Sequence, residues 1–372
     1  MLSRLLSPVA TIARSLSTSA TPSAFKPHKS AVLYNRNFLS IADLTPQELM
    51  TLLDQAGKLK EAYRRREDRD PNFKPLKSST AALIFQKRST RTRVSTETIT
   101  NLLGGSSLFL GQDDIQLGVN ETLHDSFKVL SRFNDLLVAR VFAHSDIVEM
   151  AHHANPTPSS SEAGAPGTRC RVINALSDLH HPLQTLADLL TLQELYGSKD
   201  FVNPRTGKKG VVCWVGDGNN ILHDLALGCA KVGMKCRIAT PAGYEPNSGV
   251  MEEVERVFRE ESMVEGGVYV TNVAADAVKG ADVVSTDTWV SMGEEDQKTK
   301  KIKEFAGYQV DKALMGNANE GAVFLHCLPR KKEEVSDEVF FDPDVSKVWD
   351  EAENRMWTVG AVMMSCLGEG LD

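Results

Sequence analysis

The sequence predicts an α/β protein with two open parallel-sheet α/β domains joined by helices. Three observations lead there. The chain has 372 residues, more than the roughly 100–200 of a typical domain. From residue 79 short apolar runs alternate with helical stretches, the rhythm of parallel sheets with helices on both faces. That rhythm breaks at residues 155–170, rich in Pro, Ser, Gly and Ala, and resumes near residue 210.

Composition narrows the function classes. A hydrophobic share of 41% and a charged share of 24% suit a chain with sizeable cores. No apolar run approaches the roughly 20 residues that cross a bilayer, so no membrane partner is expected. A net charge of −7 speaks against coating nucleic acid. The six cysteines form no Cys-x-x-Cys pair and no zinc-type spacing, so they read as buried free thiols in a reducing compartment, with no metal site.

The elements follow in order. Residues 1–42 contain no Asp or Glu, and Arg4 and Arg14 stand among Ser, Thr, Ala and Leu. That pattern predicts an organellar transit peptide over 1–30, addressed to the mitochondrial matrix, with a disordered basic tail as the alternative. The first α/β domain is expected over 31–175. In it, Thr45-Pro46-Gln47-Glu48 is a capping box, and Leu49, Leu52, Leu53, Ala56 and Leu59 form one helical stripe. Strands are predicted at 81–85, 107–110 and 136–141, and helices at 90–103, 123–133 and near 146–154. Residues 155–170 read as a loop insertion without chemistry. A helix over 181–196, within an interdomain region of 176–196, leads to the second domain at 197–345. Its strands are predicted at 210–215, 236–239, 268–271, 283–285 and 323–326. A last helix over 351–367 lies in the terminal segment 346–372.

Two stretches carry chemistry. Ser89-Thr90-Arg91-Thr92-Arg93 runs from a strand end into a helix start. Capping hydroxyls, unpaired first-turn amides and guanidinium groups together make an anion site, of the kind that takes phosphate. A capped helix with exposed basic residues is the plain alternative for any shorter piece of it. Further on, Gly216-Asp217-Gly218-Asn219-Asn220-Ile221 follows a strand. The third small residue of a dinucleotide fingerprint is missing, and no acid is placed after the next strand to hold a ribose.

The Ser89–Arg93 run resembles the carbamoyl-phosphate loop of the aspartate/ornithine carbamoyltransferases. The resemblance continues through Arg140 in Leu137-Val138-Ala139-Arg140-Val141 and through His181-Pro182-Leu183-Gln184. It implies a carbamoyltransferase-like fold, with 31–175 as the carbamoyl-phosphate domain, 197–345 as the amino-acid domain and 346–372 returning to the first. It implies that Ser89, Thr90, Arg91, Thr92 and Arg140 hold the phosphate and that His181 and Gln184 address the carbamoyl group, with Gln116 reaching in from a neighbouring subunit.

The second half resembles the ornithine branch. Asp287-Thr288-Trp289-Val290-Ser291-Met292-Gly293 is similar to its mobile ornithine loop, and His326-Cys327-Leu328-Pro329 to its cysteine motif. By that resemblance Leu176, Asn220, Asp287, Ser291 and Met292 bind ornithine, Cys327 and Leu328 contact carbamoyl phosphate, and Arg355 lies near the carbamoyl oxygen. Cys327, Asp287, Arg91 and His181 are then the catalytic set. The implied reaction is carbamoyl transfer to the side-chain amine of L-ornithine by a homotrimer, with no cofactor because carbamoyl phosphate is already activated. Cys327 as proton acceptor is the family reading, but a neighbouring carboxylate raises a thiol pKa, so phosphate is the alternative acceptor. Rival readings are a transcarbamylase for another amine such as putrescine or an acylated ornithine, a non-catalytic binding protein, and a nicotinamide oxidoreductase.

Overall fold

The computed structural model describes residues 26–64, 70–111, 122–154, 170–260, 267–290 and 295–372. Most of the expected transit segment, nearly all of the 155–170 insertion, Gln116, Ser291, Met292 and Gly293 lie outside the described residues.

Helix α1 (Pro46–Arg64) opens with the reciprocal cap that its sequence predicts. The Glu48 N–H donates to Thr45 Oγ1 at 3.2 Å and the Thr45 N–H to Glu48 Oε2 at 2.8 Å. Its Leu49, Leu52, Leu53, Ala56 and Leu59 stripe is buried. There follow β1 (Thr80–Phe85), α2 (Thr90–Leu102), β2 (Ser106–Gly111), α3 (Leu123–Phe133), β3 (Leu136–Arg140) and α4 (His144–Ala154), each within two residues of expectation. Strand β4 (Arg171–Leu176) was not foreseen, because Arg171 and Asn174 interrupt its apolar run. The sheet is parallel, in the order β2-β1-β3-β4. Phe85, Arg140 and Leu176 stand side by side at its carboxyl edge, so register alone brings three expected site segments together.

Helix α5 (Pro182–Tyr196) is buried from Pro182 to Leu192 and leads to the second unit. After the short antiparallel hairpin β5 (Val202–Asn203) and β6 (Lys208–Lys209) come β7 (Val211–Val215), α6 (Asn220–Val232), β8 (Lys235–Ala239), α7 (Ser248–Glu260) and β9 (Val268–Thr271). Then come α8 (Ala274–Val278), β10 (Val283–Thr286), α9 (Lys298–Glu304), α10 (Lys312–Met315), β11 (Val323–His326), α11 (Asp337–Phe340) and α12 (Val348–Leu367). This sheet is also parallel, ordered β11-β10-β7-β8-β9. The order reverses between β7 and β10, a switch point of the sort where α/β sheets bind ligands. Helix α6 escaped the sequence reading because Ile221 to Val232 are all buried, leaving no one-sided stripe to see.

Helix α12 crosses back to pack on α1, α2 and α5. The crossing is close: a Cβ added at Gly360 would lie 2.7 Å from Ile99 Cγ1 and 2.8 Å from Leu59 Cδ2. A second tie is polar. Buried Asp224 on α6 accepts from Ser40 Oγ at 2.9 Å and from the Ile41 N–H at 3.0 Å, with His180 Nδ1 at 3.1 Å. No helix among the described residues is long and apolar enough to cross a membrane.

Candidate active site

The carboxyl edges of the two sheets face a shared cavity of about 550 Å³. On the first side, Ser89 caps α2: its Oγ accepts the Thr92 N–H at 3.3 Å and donates to Thr92 Oγ1 at 3.1 Å. Ser89, Thr90, Arg91 and Thr92 all line the cavity, at a helix end whose amides favour an anion. Arg140, at the end of β3, and Arg355, from α12, line it too.

Three guanidinium groups therefore converge. The Arg91 guanidinium donates to the Leu328 carbonyl, and Arg355 Nη1 lies 3.5 Å from Thr92 Oγ1. Burial lowers the Arg140 pKa to about 10, with Arg355 and Arg91 adding repulsion and Cys327 opposing it; Arg355 is lowered mainly by burial. Both remain cations at neutral pH, and the Nε of each is buried without a partner. Such a cluster is unfavourable until an anion enters it. His181, preceding α5, is 2% exposed, and its Nδ1 has no partner. Burial first, then Arg355, Arg140 and Arg91, push its pKa well below the usual histidine range, so its ring is neutral.

The second side is built from β7, β10 and β11. Asn219 caps α6 by accepting from the Ile221 and Leu222 N–H groups, and Asn220 beside it lines the cavity and donates to the Ser177 carbonyl. The pairing of Thr286 with His326 sets Asp287 next to Cys327. Asp287 is 7% exposed, and burial raises its pKa to about 6 against the opposing pull of His326 and a bond from the Thr288 N–H. Cys327 is half-buried and lines the cavity. Burial and the Asp287 charge push its thiol pKa well above the ordinary value, so it is a thiol at neutral pH. Leu176 and Leu328 are also part of the lining, the latter at a left-handed φ of 63° that costs a non-glycine residue about 1 kcal/mol.

Several contributors gave no sequence signal. Glu334, fully buried, accepts from the Trp289 N–H at 3.3 Å, the Lys331 N–H at 2.7 Å and His326 Nε2 at 3.3 Å. It thereby ties the Asp287 loop to the Cys327 loop. Lys298 and Lys331 also line the cavity. Trp289 is 3% exposed and packs with Phe305 and Tyr308, a core role. Gln184 does not line the cavity; its amide bonds to Asp188 and Glu351. The glycines of 216–218 answer to packing. Gly216 has φ 146°, and a Cβ at Gly218 would lie 2.4 Å from the backbone of Glu245 and Pro246. Among the described residues no group of three or more His, Cys, Asp or Glu is arranged for a metal ion.

Comparison with known proteins follows this geometry. Residues 36–194 match the aspartate/ornithine carbamoyltransferase carbamoyl-P binding domain, and residues 208–366 the Asp/Orn binding domain of the same family. The mitochondrial ornithine carbamoyltransferase of Schizosaccharomyces pombe is 44% identical over 337 residues, 90% of this chain and 95% of that protein. The mitochondrial ornithine transcarbamylase of Gallus gallus is 44% identical over 336 residues, 90% of this chain and 86% of that one. Among solved structures, ornithine carbamoyltransferase from Pyrococcus furiosus superposes with a TM-score of 0.79 at 38% identity, covering 91% of this chain and 99% of that one. The mitochondrial enzyme from Coccidioides immitis gives 0.75 at 41% identity, covering 88% and 96%. With both domain types matched and relatives 44% identical over 90% of its length, the chain belongs to the aspartate/ornithine carbamoyltransferase family.

Proposed function

We propose that this chain transfers the carbamoyl group of carbamoyl phosphate to the side-chain amine of L-ornithine, forming L-citrulline and phosphate. One observation carries the reading. Arg91, Arg140, Arg355 and neutral His181 share a cavity with Asp287 and Cys327, so an anionic donor and a cationic acceptor each meet groups of opposite charge. Relatives that bear the name ornithine carbamoyltransferase over 90% of the chain support it.

In this reading the α2 N-terminus, Ser89, Thr90, Thr92, Arg91 and Arg140 bind the phosphate. Asn220 and Leu176 hold the amino-acid end of ornithine, and Asp287 takes its side-chain ammonium, with Ser291 and Met292 as further ornithine-binding residues. Once deprotonated, the amine attacks the carbonyl carbon. A carbon–nitrogen bond forms, and the oxyanion is stabilised by Arg91, the His181 N–H and Arg355. Collapse breaks the bond to the phosphate oxygen, and phosphate leaves. The raised Cys327 pKa makes its thiol an unsuitable base, so Cys327 orients the amine; of the two protons the ammonium gives up, the first is lost to solvent before attack and the second leaves on the departing phosphate. Gln116, from a neighbouring subunit, contacts the donor, whereas Gln184 stands behind the cavity lining with its amide held by Asp188 and Glu351. The enzyme is proposed to work as a homotrimer in the mitochondrial matrix, in line with the relatives named mitochondrial.

The test is a citrulline assay with carbamoyl phosphate and ornithine beside putrescine, N-acetylornithine and aspartate. Turnover with ornithine alone, cut at least a hundredfold (about 10²) by Arg91→Ala, is the expected result. Turnover with another amine, or none despite carbamoyl-phosphate binding, would sink the ornithine assignment.

A further inference from the structure

Ornithine carries a carboxylate as well as two ammonium groups, and the second side of the cavity holds two lysines besides Asp287. Lys298 Nζ lies 4.0 Å from Glu333 Oε1, and its side chain is 55% exposed. Its charge is answered by a carboxylate and by water. Lys331 differs. It is half-buried, and its Nζ donates to Thr288 Oγ1 at 3.2 Å and to the Val290 carbonyl at 3.3 Å. Both acceptors are neutral, and among the described residues the Lys331 ammonium has no carboxylate partner. An ammonium has three N–H donors, so one is left for a ligand. Thr288 directly follows Asp287, and β10 pairs with β11, so one sheet edge presents both a carboxylate and an ammonium to the cavity. Glu334 stiffens that arrangement by accepting the backbone N–H groups of Trp289 and Lys331 together.

We propose that the Lys331 ammonium receives the α-carboxylate of the acceptor while Asp287 receives its side-chain ammonium, so that this pair selects a diamino acid over a plain diamine. This inference rests on the ornithine reading above, in which Asn220 and Leu176 offer that carboxylate only uncharged groups. Arg91, Arg140 and Arg355 do not serve it, because they converge on the α2 side, where the phosphate occupies them. A charge-assisted hydrogen bond is roughly twice as strong as a neutral one. A diamine such as putrescine fills the Asp287 end but brings its second ammonium toward Lys331 with no carboxylate between them, a like-charge contact.

The experiment is steady-state kinetics on the full chain, Lys331→Met and Lys331→Arg. It reads KM for L-ornithine and the competition constant of L-ornithinamide, which keeps both amines and lacks the charged carboxylate. Neither constant depends on the folded fraction of a variant. Lys331→Met is expected to raise KM for ornithine about tenfold and to leave the ornithinamide constant in place. Lys331→Arg, which keeps the cation, retains the preference for ornithine over its amide. Equal weakening of both ligands in Lys331→Met overturns the proposal, since Lys331 then only braces the Asp287 loop. An unchanged KM for ornithine in that variant overturns it as well. A wild-type chain that does not carbamoylate ornithine overturns the ornithine reading itself.

Discussion

Arg91 and Asp287 divide the cavity by charge, and their variants separate its two ends. Arg91→Ala removes one of three converging cations and is expected to lower kcat/KM for carbamoyl phosphate by about 10²–10³-fold, read by steady-state kinetics. Asp287→Asn is expected to abolish saturation by ornithine while calorimetry still detects carbamoyl phosphate. The Asp287 pKa of about 6 also gives a pH signature. Turnover at limiting ornithine falls as pH drops through about 6, because the carboxylate that attracts the ammonium is lost. Its effect on stability runs the other way. The folded state holds this proton more tightly than the unfolded chain, so the contribution of Asp287 to stability declines as pH rises from the ordinary carboxylate value of 3.8 to about 6. Thermal melts of Asp287→Asn across that window should lack this decline.

At the scale of elements, the Asp224 junction joins the chain's first described segment to α6. Burial lowers the His180 pKa, but the Asp224 charge and hydrogen bond outweigh it and leave the value raised. A raised histidine contributes stability in full below about 6.5, and that contribution is lost as pH rises through the folded-state value. Asp224→Asn should remove this pH dependence. Asp224→Ala should cost about 1–3 kcal/mol, because the Ser40 hydroxyl and the Ile41 N–H are left buried without their acceptor. Calorimetry at pH 6 and pH 8 reads both.

In the whole molecule, α12 is the seam. Gly360 lets it lie against Leu59 and Ile99, so Gly360→Val is expected to destabilise the fold by about 1–3 kcal/mol through overpacking, measured by denaturant titration. Assembly belongs to this scale too. Sedimentation is expected to give three times the 40.8 kDa chain mass, less any removed transit segment, and a monomer at working concentration would refute the trimer.

The βα alternation, the α1 cap and stripe and the Ser89–Thr92 helix start were legible because they depend on neighbours in the chain: periodicity and capping act over four residues or fewer. The two-sheet α/β architecture follows from such local signals, and the family resemblance rests on contiguous motifs. Strand β4 and helix α6 were illegible for the opposite reason, since polar interruptions in one and burial on every side of the other hide their periods. Tertiary structure alone decided the electrical state of the site. The same His181, Asp287 and Cys327 side chains would titrate ordinarily in an unfolded chain. Burial beside arginines makes His181 neutral, and burial at the end of β10 and β11 raises Asp287 and Cys327. Glu334 reaches Trp289, and Glu351 reaches Gln184, only after distant segments pack. Local sequence specifies which groups exist; desolvation and charge proximity, which need the whole fold, specify what those groups can do.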